Sequence, residues 1–516
     1  MGAKPVMKFV QQSRRGITSS AIVYMLGSVA IIGLLGWFLI GLPNADSETD
    51  EIVMYCAAGI KKPVAEAAKQ YAEETFGVPV RLQYGGSGTL LSNLQVAKTG
   101  DLYLAADTSY MNIAKEKGVL AETIPLAYQR PVIAVRKGNP KNIKSIKDLL
   151  RDDVKFVLAN PDAASVGKLT KKILTKTGEW EAVRKKAKAM KPTVNDVLVD
   201  VTTGSVDASI VWDANVNQDP EHLEMVRTKP FDAARKQITI GVLKWTKDPA
   251  AALRFARYLQ APEKGQKAFK KYGYDLIPDA DQWAIKPTIN ISSGGVNRVA
   301  IEKTLKDFQE REGVQLNVKY NGCGILVGEM KTGDRPDAYF ACDVSFMSQV
   351  KDLFHDSTTL SETDMVIVVK KDNPKNIESL KDLANEGVRV GLANAEHSAL
   401  GALSANLLKS LGLLTGVMKN VKYQASTADL LLNQMIAGKL DAVIVYRANT
   451  SQVKDKVKVI TITEGKPTAA QPIAIGKDSK YPYLMRRLVQ TLQSELSQKR
   501  FKDADFRWRG ETGKKP

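Results

Sequence analysis

Short apolar runs alternate with amphipathic stretches along most of the chain, from about residue 51 to residue 510. In the first half, the pattern predicts strands at residues 52–56, 80–84, 102–106, 131–135, 156–159, 208–212 and 238–242. It predicts helices between several of them, at residues 63–75, 90–97 and 146–150. Strands that alternate with helices form βα units, so we expect an α/β fold with a mostly parallel sheet.

The pattern is different near the N-terminus, where residues 21–42 form an uncharged, largely apolar run. A helix of this length, at about 1.5 Å per residue, crosses a hydrocarbon core of roughly 30 Å, so the run is predicted to be a transmembrane anchor. Basic residues lie in segment 1–20 and acidic residues follow the run, which predicts a cytoplasmic N-terminus and periplasmic domains on the cell membrane. A cleaved signal peptide is the alternative, but the length of the run favours an uncleaved anchor.

An internal repeat divides the rest of the chain. Residues 136–149, with the sequence RKGNPKNIKSIKDL, reappear at 370–383 as KKDNPKNIESLKDL. Tyr84-Gly-Gly-Ser-Gly likewise matches Tyr320-Asn-Gly-Cys-Gly, in the same order along the chain. We therefore predict two copies of one domain, at residues 51–276 and 288–510, joined by a linker at 277–286.

Charge and cysteine content narrow the function classes. The chain has 516 residues and a formal net charge of +18, but its lysines and arginines are scattered and no nucleic-acid-binding motif accompanies them. A solvated basic surface is therefore favoured over a nucleic-acid partner. The three cysteines match no zinc pattern, so we predict no metal and no other cofactor.

One glycine-rich segment is a candidate binding loop. Residues 84–90, YGGSGTL, connect a predicted strand to a predicted helix, which is where open α/β sheets bind ligands. The glycines allow the backbone to approach a ligand closely, and the amides at the start of the helix can donate to an anion. A plain connection in which Ser87 caps the helix fits the segment equally well.

Several motifs together give a specific resemblance. Cys56-Ala-Ala-Gly59, the segment 84–90, Asp101-Leu-Tyr-Leu-Ala-Ala-Asp107 and Ile210-Val-Trp212 occur in the order and spacing of the periplasmic molybdate- and tungstate-binding family of ABC importers. The first copy resembles this family more closely than the second. The resemblance implies a type II periplasmic-binding fold, in which two lobes close on the ligand. In the first copy, lobe one would be residues 51–130 with 236–276, and lobe two residues 131–235.

The resemblance also implies which residues bind the ligand. In the first copy, the matching positions are Gly59, Ser87, Gly88, Val166, Val197 and Trp212. Two of these depart from the family pattern, because Gly59 stands where a serine hydroxyl is usual and Trp212 stands where a tyrosine is usual. Ser87 keeps its hydroxyl, while the backbone amides of Val166 and Val197 are the donors expected from lobe two.

The second copy departs further from the family. Its matching positions are Gly295, Cys323, Ala399 and Tyr446, of which only Tyr446 keeps the family side chain. A thiol is a poorer donor to an oxyanion than a hydroxyl, so this copy either binds another solute or is a structural or docking module. A third interpretation pairs Cys323 with Cys342 as a disulfide in an oxidising compartment.

The function implied by the resemblance is capture of a small oxyanion, molybdate or tungstate, for delivery to an ABC permease. An enzyme is not predicted, because no Ser/His/Asp set, pair of catalytic carboxylates or metal motif recurs in both copies. His397 is interpreted as a surface or cap residue. The alternative function is a membrane-anchored solute sensor or scaffold, in which the second domain is a docking module.

Overall fold

The computed structural model describes residue 2 and residues 51–510, apart from Phe76 and Lys466. The predicted anchor at 21–42 and, except for Gly2, the predicted cytoplasmic segment at 1–20 lie outside the described residues. Within the described part of the chain, no helix has both the length and the apolar character needed to cross a membrane.

Strands and helices alternate in the first copy, in agreement with the apolar pattern. The strands are β1 (Ile52–Ala57), β2 (Val80–Gly85), β3 (Leu102–Ala105), β4 (Leu120–Gln129), β5 (Pro131–Arg136), β6 (Phe156–Ala159), β7 (Met190–Lys191), β8 (Ala208–Trp212), β9 (Leu223–Val226), β10 (Lys236–Leu243) and β11 (Asp275–Leu276). The helices are α1 (Lys61–Glu74), α2 (Ser87–Ala97), α3 (Thr108–Glu116), α4 (Ser165–Lys176), α5 (Trp180–Lys186), α6 (Val194–Thr202), α7 (Asp213–Asn217), α8 (Lys229–Asp232), α9 (Pro249–Gln260) and α10 (Gly265–Lys271). Residues Ile146–Leu150, predicted as a helix, form a short 3-10 helix.

The first copy has one sheet in each of two lobes. The six-stranded sheet has the order β11-β4-β10-β3-β1-β2, and the five-stranded sheet has the order β7-β6-β8-β5-β9. The chain passes from the first sheet to the second between β4 and β5, and returns at β10. These crossings fall at residues 130 and 236, where the resemblance placed the lobe boundaries.

The expectation of a mostly parallel sheet is wrong. Strands β2 and β3 pair parallel to β1, but β10 pairs antiparallel to both β3 and β4. In the second sheet, β6 and β8 are parallel, whereas β5 is antiparallel to β8 and β9. The sheets are mixed because a strand that leaves a lobe and a strand that returns to it run in opposite directions.

The second copy repeats the arrangement. Its strands are β12 (Thr288–Gly294), β13 (Gln315–Asn321), β14 (Ala338–Phe340), β15 (Thr358–Lys370), β16 (Val390–Ala393), β17 (Val421–Ala425), β18 (Ala442–Tyr446), β19 (Val457–Thr461), β20 (Thr468–Ile475) and β21 (Arg507–Trp508). Its helices are α11 (Arg298–Glu312), α12 (Cys323–Lys331), α13 (Val344–Ser348), α14 (Ala399–Ser410), α15 (Leu414–Asn420), α16 (Ala428–Ile436), α17 (Pro482–Leu492) and α18 (Glu495–Asp503). One difference is that β15 continues through the position where the first copy changes from β4 to β5, so its strands form a single ten-stranded sheet.

The elements form where the sequence places apolar residues. Strand β3 is buried along its whole length, because helices cover both faces of a sheet built from βα units. Helix α1 buries Val64, Ala67, Ala68 and Tyr71, which form a stripe along one face at helical spacing. These two patterns, one continuous and one periodic, explain why local sequence predicts strands and helices of the first copy.

The two copies contact each other through a buried charge cluster centred on Glu312 of α11. Arg257 of α9, in the first copy, donates to the Glu312 carbonyl oxygen at 2.9 Å and to its carboxylate at 3.1 Å. Arg487 of α17 donates to the same carboxylate at 2.8 and 3.0 Å. All three residues are buried. The linker contributes Asp281, which accepts hydrogen bonds from the backbone of Tyr483 and Leu484 at the start of α17.

Candidate ligand-binding clefts

The first cleft lies between the two lobes of the first copy, and the space among its walls is about 240 Å³, part of it open to solvent. Its walls are formed by residues 57–59, 85–87, 164–166 and 193–194, together with Ala106 and Trp212. Three of these segments are helix starts, because Gly86 precedes α2, Ala164 precedes α4 and Thr193 precedes α6. Two of the helices belong to lobe two and one to lobe one, so the cleft is built from both lobes.

Helix starts make the first cleft suited to an anion. The first backbone N–H groups of a helix have no acceptor within the helix, and the helix dipole places partial positive charge there. The wall residues of this cleft are small, hydroxyl-bearing or aromatic, and none of them carries a charge. An anion in the cleft would therefore be held by neutral hydrogen-bond donors.

Ser87 is placed to offer its hydroxyl to a ligand. Its side chain is 1% exposed, and its Oγ accepts a hydrogen bond from the backbone N–H of Ala106 at 3.1 Å. Tyr103 donates to the Ser87 carbonyl oxygen at 2.7 Å and so holds the residue in position. Ser87 is the first residue of α2, and its side chain makes no cap hydrogen bond to that helix. The interpretation of Ser87 as a cap is therefore wrong, and the hydroxyl proton can point into the cleft.

The structure brings together four of the six residues expected to bind ligand in the first copy. Gly59, Ser87, Val166 and Trp212 line the cleft. Gly88 and Val197 are not among the wall residues.

Both of these residues use their backbone amides in contacts within the protein. The Gly88 N–H donates to the Ala163 carbonyl oxygen at 2.7 Å, across the lobes. Val197 lies one turn inside α6, where its N–H faces the Thr193 carbonyl oxygen at 3.4 Å, so this amide belongs to the helix.

Sequence reasoning missed Thr193, whose neighbour Val194 also reaches the wall. The Thr193 hydroxyl accepts from the Asp196 N–H at 3.2 Å, and the Asp196 carboxylate accepts from the Thr193 N–H at 3.1 Å. This reciprocal pair is a capping box. The Thr-x-x-Asp pattern at 193–196 was the sequence signal that could have located the start of α6.

The lobes of the first copy are held together by hydrogen bonds at the edge of the cleft. Asn195 donates to the Ala58 carbonyl oxygen at 3.0 Å, and Asn215 donates to the Gly59 carbonyl oxygen at 2.8 Å. The Tyr110 hydroxyl donates to a further lobe-two carbonyl oxygen at 2.8 Å. Burial raises the pKa of Tyr110 to about 12, so the hydroxyl remains a donor at neutral pH. These contacts define a closed conformation.

The second cleft occupies the equivalent place in the second copy, and the space among its walls is about 290 Å³, part of it open to solvent. Of the four residues expected to line it, Gly295 and Tyr446 do so, whereas Cys323 and Ala399 do not. Ala399 is the first residue of α14, as Ser165 is of α4, so the wall position of Val166 is occupied by Leu400. The assignment of Ala399 to the Val166 position was therefore wrong by one residue.

Cys323 and Cys342 form a disulfide, which confirms the third interpretation of the second copy. The pair replaces the contact between Ser87 and Ala106 of the first copy, and the Cys342 N–H still donates to the Cys323 sulfur at 3.0 Å. The second copy thus lacks a hydroxyl at the position of Ser87, which lines the first cleft.

The pairing predicts how many thiols can be alkylated. Protein unfolded without reductant should take up one iodoacetamide, at Cys56, because that is the free cysteine of the structure. After reduction, all three cysteines of the chain should react. Mass spectrometry of the intact protein distinguishes these products, and three labels without reductant would contradict the disulfide.

In the part of the chain that the structure describes, no group of three or more histidine, cysteine, aspartate or glutamate side chains is arranged to hold a metal ion.

Two lobes that close over a small cleft define a solute-binding protein. The chain belongs to the bacterial extracellular solute-binding protein family, whose pattern it matches twice, at residues 52–275 and 289–507. This confirms the tandem repeat. Membership identifies a non-enzymatic, extracellular class of protein that binds a solute and works with an ABC transporter.

Individual relatives match one copy at a time. A binding protein of Haemophilus influenzae is 27% identical over 224 residues, which are 43% of this chain and 90% of the relative. A molybdate-binding protein of Mycobacterium tuberculosis is 29% identical over 224 residues, 43% of this chain and 84% of the relative. The solved periplasmic molybdate-binding protein of Azotobacter vinelandii is 17% identical with a TM-score of 0.38, and the match covers 44% of this chain and all of that one, at 100%.

Proposed function

We propose that the first copy captures a small oxyanion, molybdate or tungstate, and presents it to an ABC permease. The observation that carries this proposal is a closed cleft whose walls hold three helix starts and the Ser87 hydroxyl, with no charged wall residue. The relative from Mycobacterium tuberculosis, which is named a molybdate-binding protein, supports the choice of anion. Binding residues of the first copy would be Gly59, Ser87, Val166, Thr193 and Trp212.

The proposal extends to the location of the protein. Residues 21–42 would anchor the chain in the cell membrane, with residues 1–20 in the cytoplasm, and would hold domains 51–276 and 288–510 near a permease. An anchored binding protein reaches its permease without diffusing freely, which raises its effective concentration there.

Calorimetric titration of the full chain tests the ligand. Molybdate, tungstate, sulfate and phosphate would be compared, with the expectation of tight binding of molybdate or tungstate by the first copy. Absence of heat with all four anions would contradict the proposal and favour the sensor or scaffold function.

Replacing Ser87 by alanine should weaken oxyanion binding by about 1–3 kcal/mol, because a buried donor to the ligand is lost. Ser92, on the exposed face of the same helix α2, provides the matched control, and Ser92→Ala should leave the dissociation constant unchanged. Titration of both variants measures the difference. Equal affinities for the two variants would exclude the Ser87 hydroxyl from the site.

A further inference from the structure

The second cleft differs from the first in charge. Asp429, in the first turn of α16, occupies the position that Asn195 occupies in α6, and it is the one charged side chain among the described residues that line the second cleft. Asp429 is exposed to solvent and is one of the wall residues of the cleft. Where Asn195 donates a hydrogen bond across the lobes, a carboxylate can only accept one.

Two further polar groups of the second cleft lack partners. The Tyr446 hydroxyl and the Asn449 Oδ1 make no hydrogen bond within the described part of the chain, although these residues are only 2% and 7% exposed. Both residues line the cleft. The Asn449 amide nitrogen donates to the Asp429 carboxylate at 3.3 Å, whereas the matching Asn215 donates to Gly59 in the other lobe. A ligand that donates hydrogen bonds would satisfy these buried groups.

The features that suit the first cleft to an anion are weakened in the second. The Cys323 sulfur is held in the disulfide and offers no hydroxyl proton. Each copy has an acidic residue in the first turn of the matching helix, but Asp429 of α16 is a wall residue of the second cleft, whereas Asp196 of α6 is not a wall residue of the first. An anion in the second cleft would therefore lack the hydroxyl donor at the Ser87 position and would meet a carboxylate in the wall.

The cation that acts electrostatically on Asp429 is already paired. Arg298 of α11 influences Asp429 electrostatically, but its guanidinium forms an ion pair with Glu302 at 2.9 Å on the helix surface. Arg298 is not a wall residue of the cleft. The cleft therefore presents a net negative charge to a ligand.

We propose that the second cleft binds a small protonated amine. An ammonium group has N–H donors and no acceptor, which matches the acceptors present: the Asp429 carboxylate, the Asn449 amide oxygen and the Tyr446 hydroxyl oxygen. The space among the cleft walls, about 290 Å³ including open solvent, is of the size of a small ligand. The two copies then bind solutes of opposite charge, and this inference does not depend on which oxyanion the first copy takes.

The probe for this proposal is ethanolamine, which is protonated at neutral pH, compared with ethylene glycol, a neutral molecule of similar size. Calorimetry of the full chain should show binding of ethanolamine at millimolar concentration and none of ethylene glycol. Asp429→Asn should weaken ethanolamine binding at least roughly tenfold, and Tyr446→Phe should also weaken it. Oxyanion binding in the first copy should stay unchanged in both variants.

Asp429→Asn restores the residue found at the matching position of the first copy, so we expect the variant to fold, and its thermal unfolding curve checks this. Asp455→Asn, at an exposed loop position outside the cleft walls, is the matched control for charge. The proposal is overturned if ethanolamine does not bind, or if Asp429→Asn binds it as well as Asp455→Asn does. It is also overturned if molybdate fills a second site that Tyr446→Phe removes.

Discussion

Gly86→Ala is expected to prevent closure of the first copy and to weaken oxyanion binding by about 3 kcal/mol, roughly a hundredfold. A Cβ at this position would lie 2.5 Å from the Ala163 carbonyl oxygen and 2.6 Å from the Pro192 carbonyl oxygen. Both oxygens are backbone atoms of lobe two, so no side chain can move away and the lobes must separate. Gly86 has φ −67°, which alanine also adopts, so the variant should fold normally.

The second copy supplies the matched control. A Cβ at Gly322 would lie 2.3 Å from the His397 carbonyl oxygen and 2.6 Å from the Ser426 carbonyl oxygen. Gly322→Ala should therefore keep the second copy open and leave oxyanion affinity in the first copy unchanged. Titration and small-angle scattering with and without ligand measure affinity and closure. Wild-type affinity in Gly86→Ala would show that closure over this loop is not needed for binding.

Glu312→Gln should lower the free energy of unfolding by about 3–5 kcal/mol, because it leaves two buried guanidinium groups without their counter-charge. Burial lowers the pKa of Arg257 to about 10, and Glu312 opposes that effect. For Glu312 itself, burial acts to raise the pKa, but Arg487 and Arg257 outweigh it and leave the pKa lowered. Because Arg257 belongs to the first copy and Glu312 to the second, we expect the lost stability to come from the contact between the two copies.

Glu310→Gln, on the exposed face of the same helix, is the control. Its ion pair with Lys306 spans 3.9 Å at the surface, so the substitution should change the free energy of unfolding by less than about 0.5 kcal/mol. Chemical denaturation of both variants, with each unfolding transition analysed separately, measures the free energy of unfolding. Equal curves for the two variants would show that the buried cluster contributes no net stability.

The lowered pKa of Glu312 also predicts a pH dependence. A carboxyl whose pKa is lower in the folded state stabilises the fold above its unfolded value, here 4.5, and the contribution is lost as the pH falls through the folded pKa. The difference in stability between the wild type and Glu312→Gln should therefore shrink on acidification below 4.5. An unchanged difference at low pH would place its origin outside the charge of Glu312.

Much of the fold could be predicted because its signals are local. Strands β6 and β8 have the bounds expected from their apolar runs, since a short run between polar turns is visible within a few residues. The second copy could also be predicted, because the repeated segments are recognisable in the sequence alone. The direction of each strand is not local: β10 pairs antiparallel with β3 and β4 in the first sheet, and β5 pairs antiparallel with β8 and β9 in the second, so both sheets are mixed.

The expected binding residues also fall into two groups, those that local sequence could predict and those that it could not. The glycine-rich loop around Ser87 was recognisable from its own sequence, and the structure places it in the cleft. The loss of Val197 from the wall depended on where α6 begins relative to lobe one.

The sequence by itself determined the tandem repeat and the succession of strands and helices. It also determined which types of side chain are available near each cleft. Only the tertiary structure decided which of them line the clefts and which hold the lobes together. Asn195 donates to Ala58, 137 residues earlier in the chain, and Asp429, at the matching position, has no such bond. Apolar periodicity reports which face of an element is buried, whereas a cleft is made by backbone groups that meet only after both lobes have folded and closed.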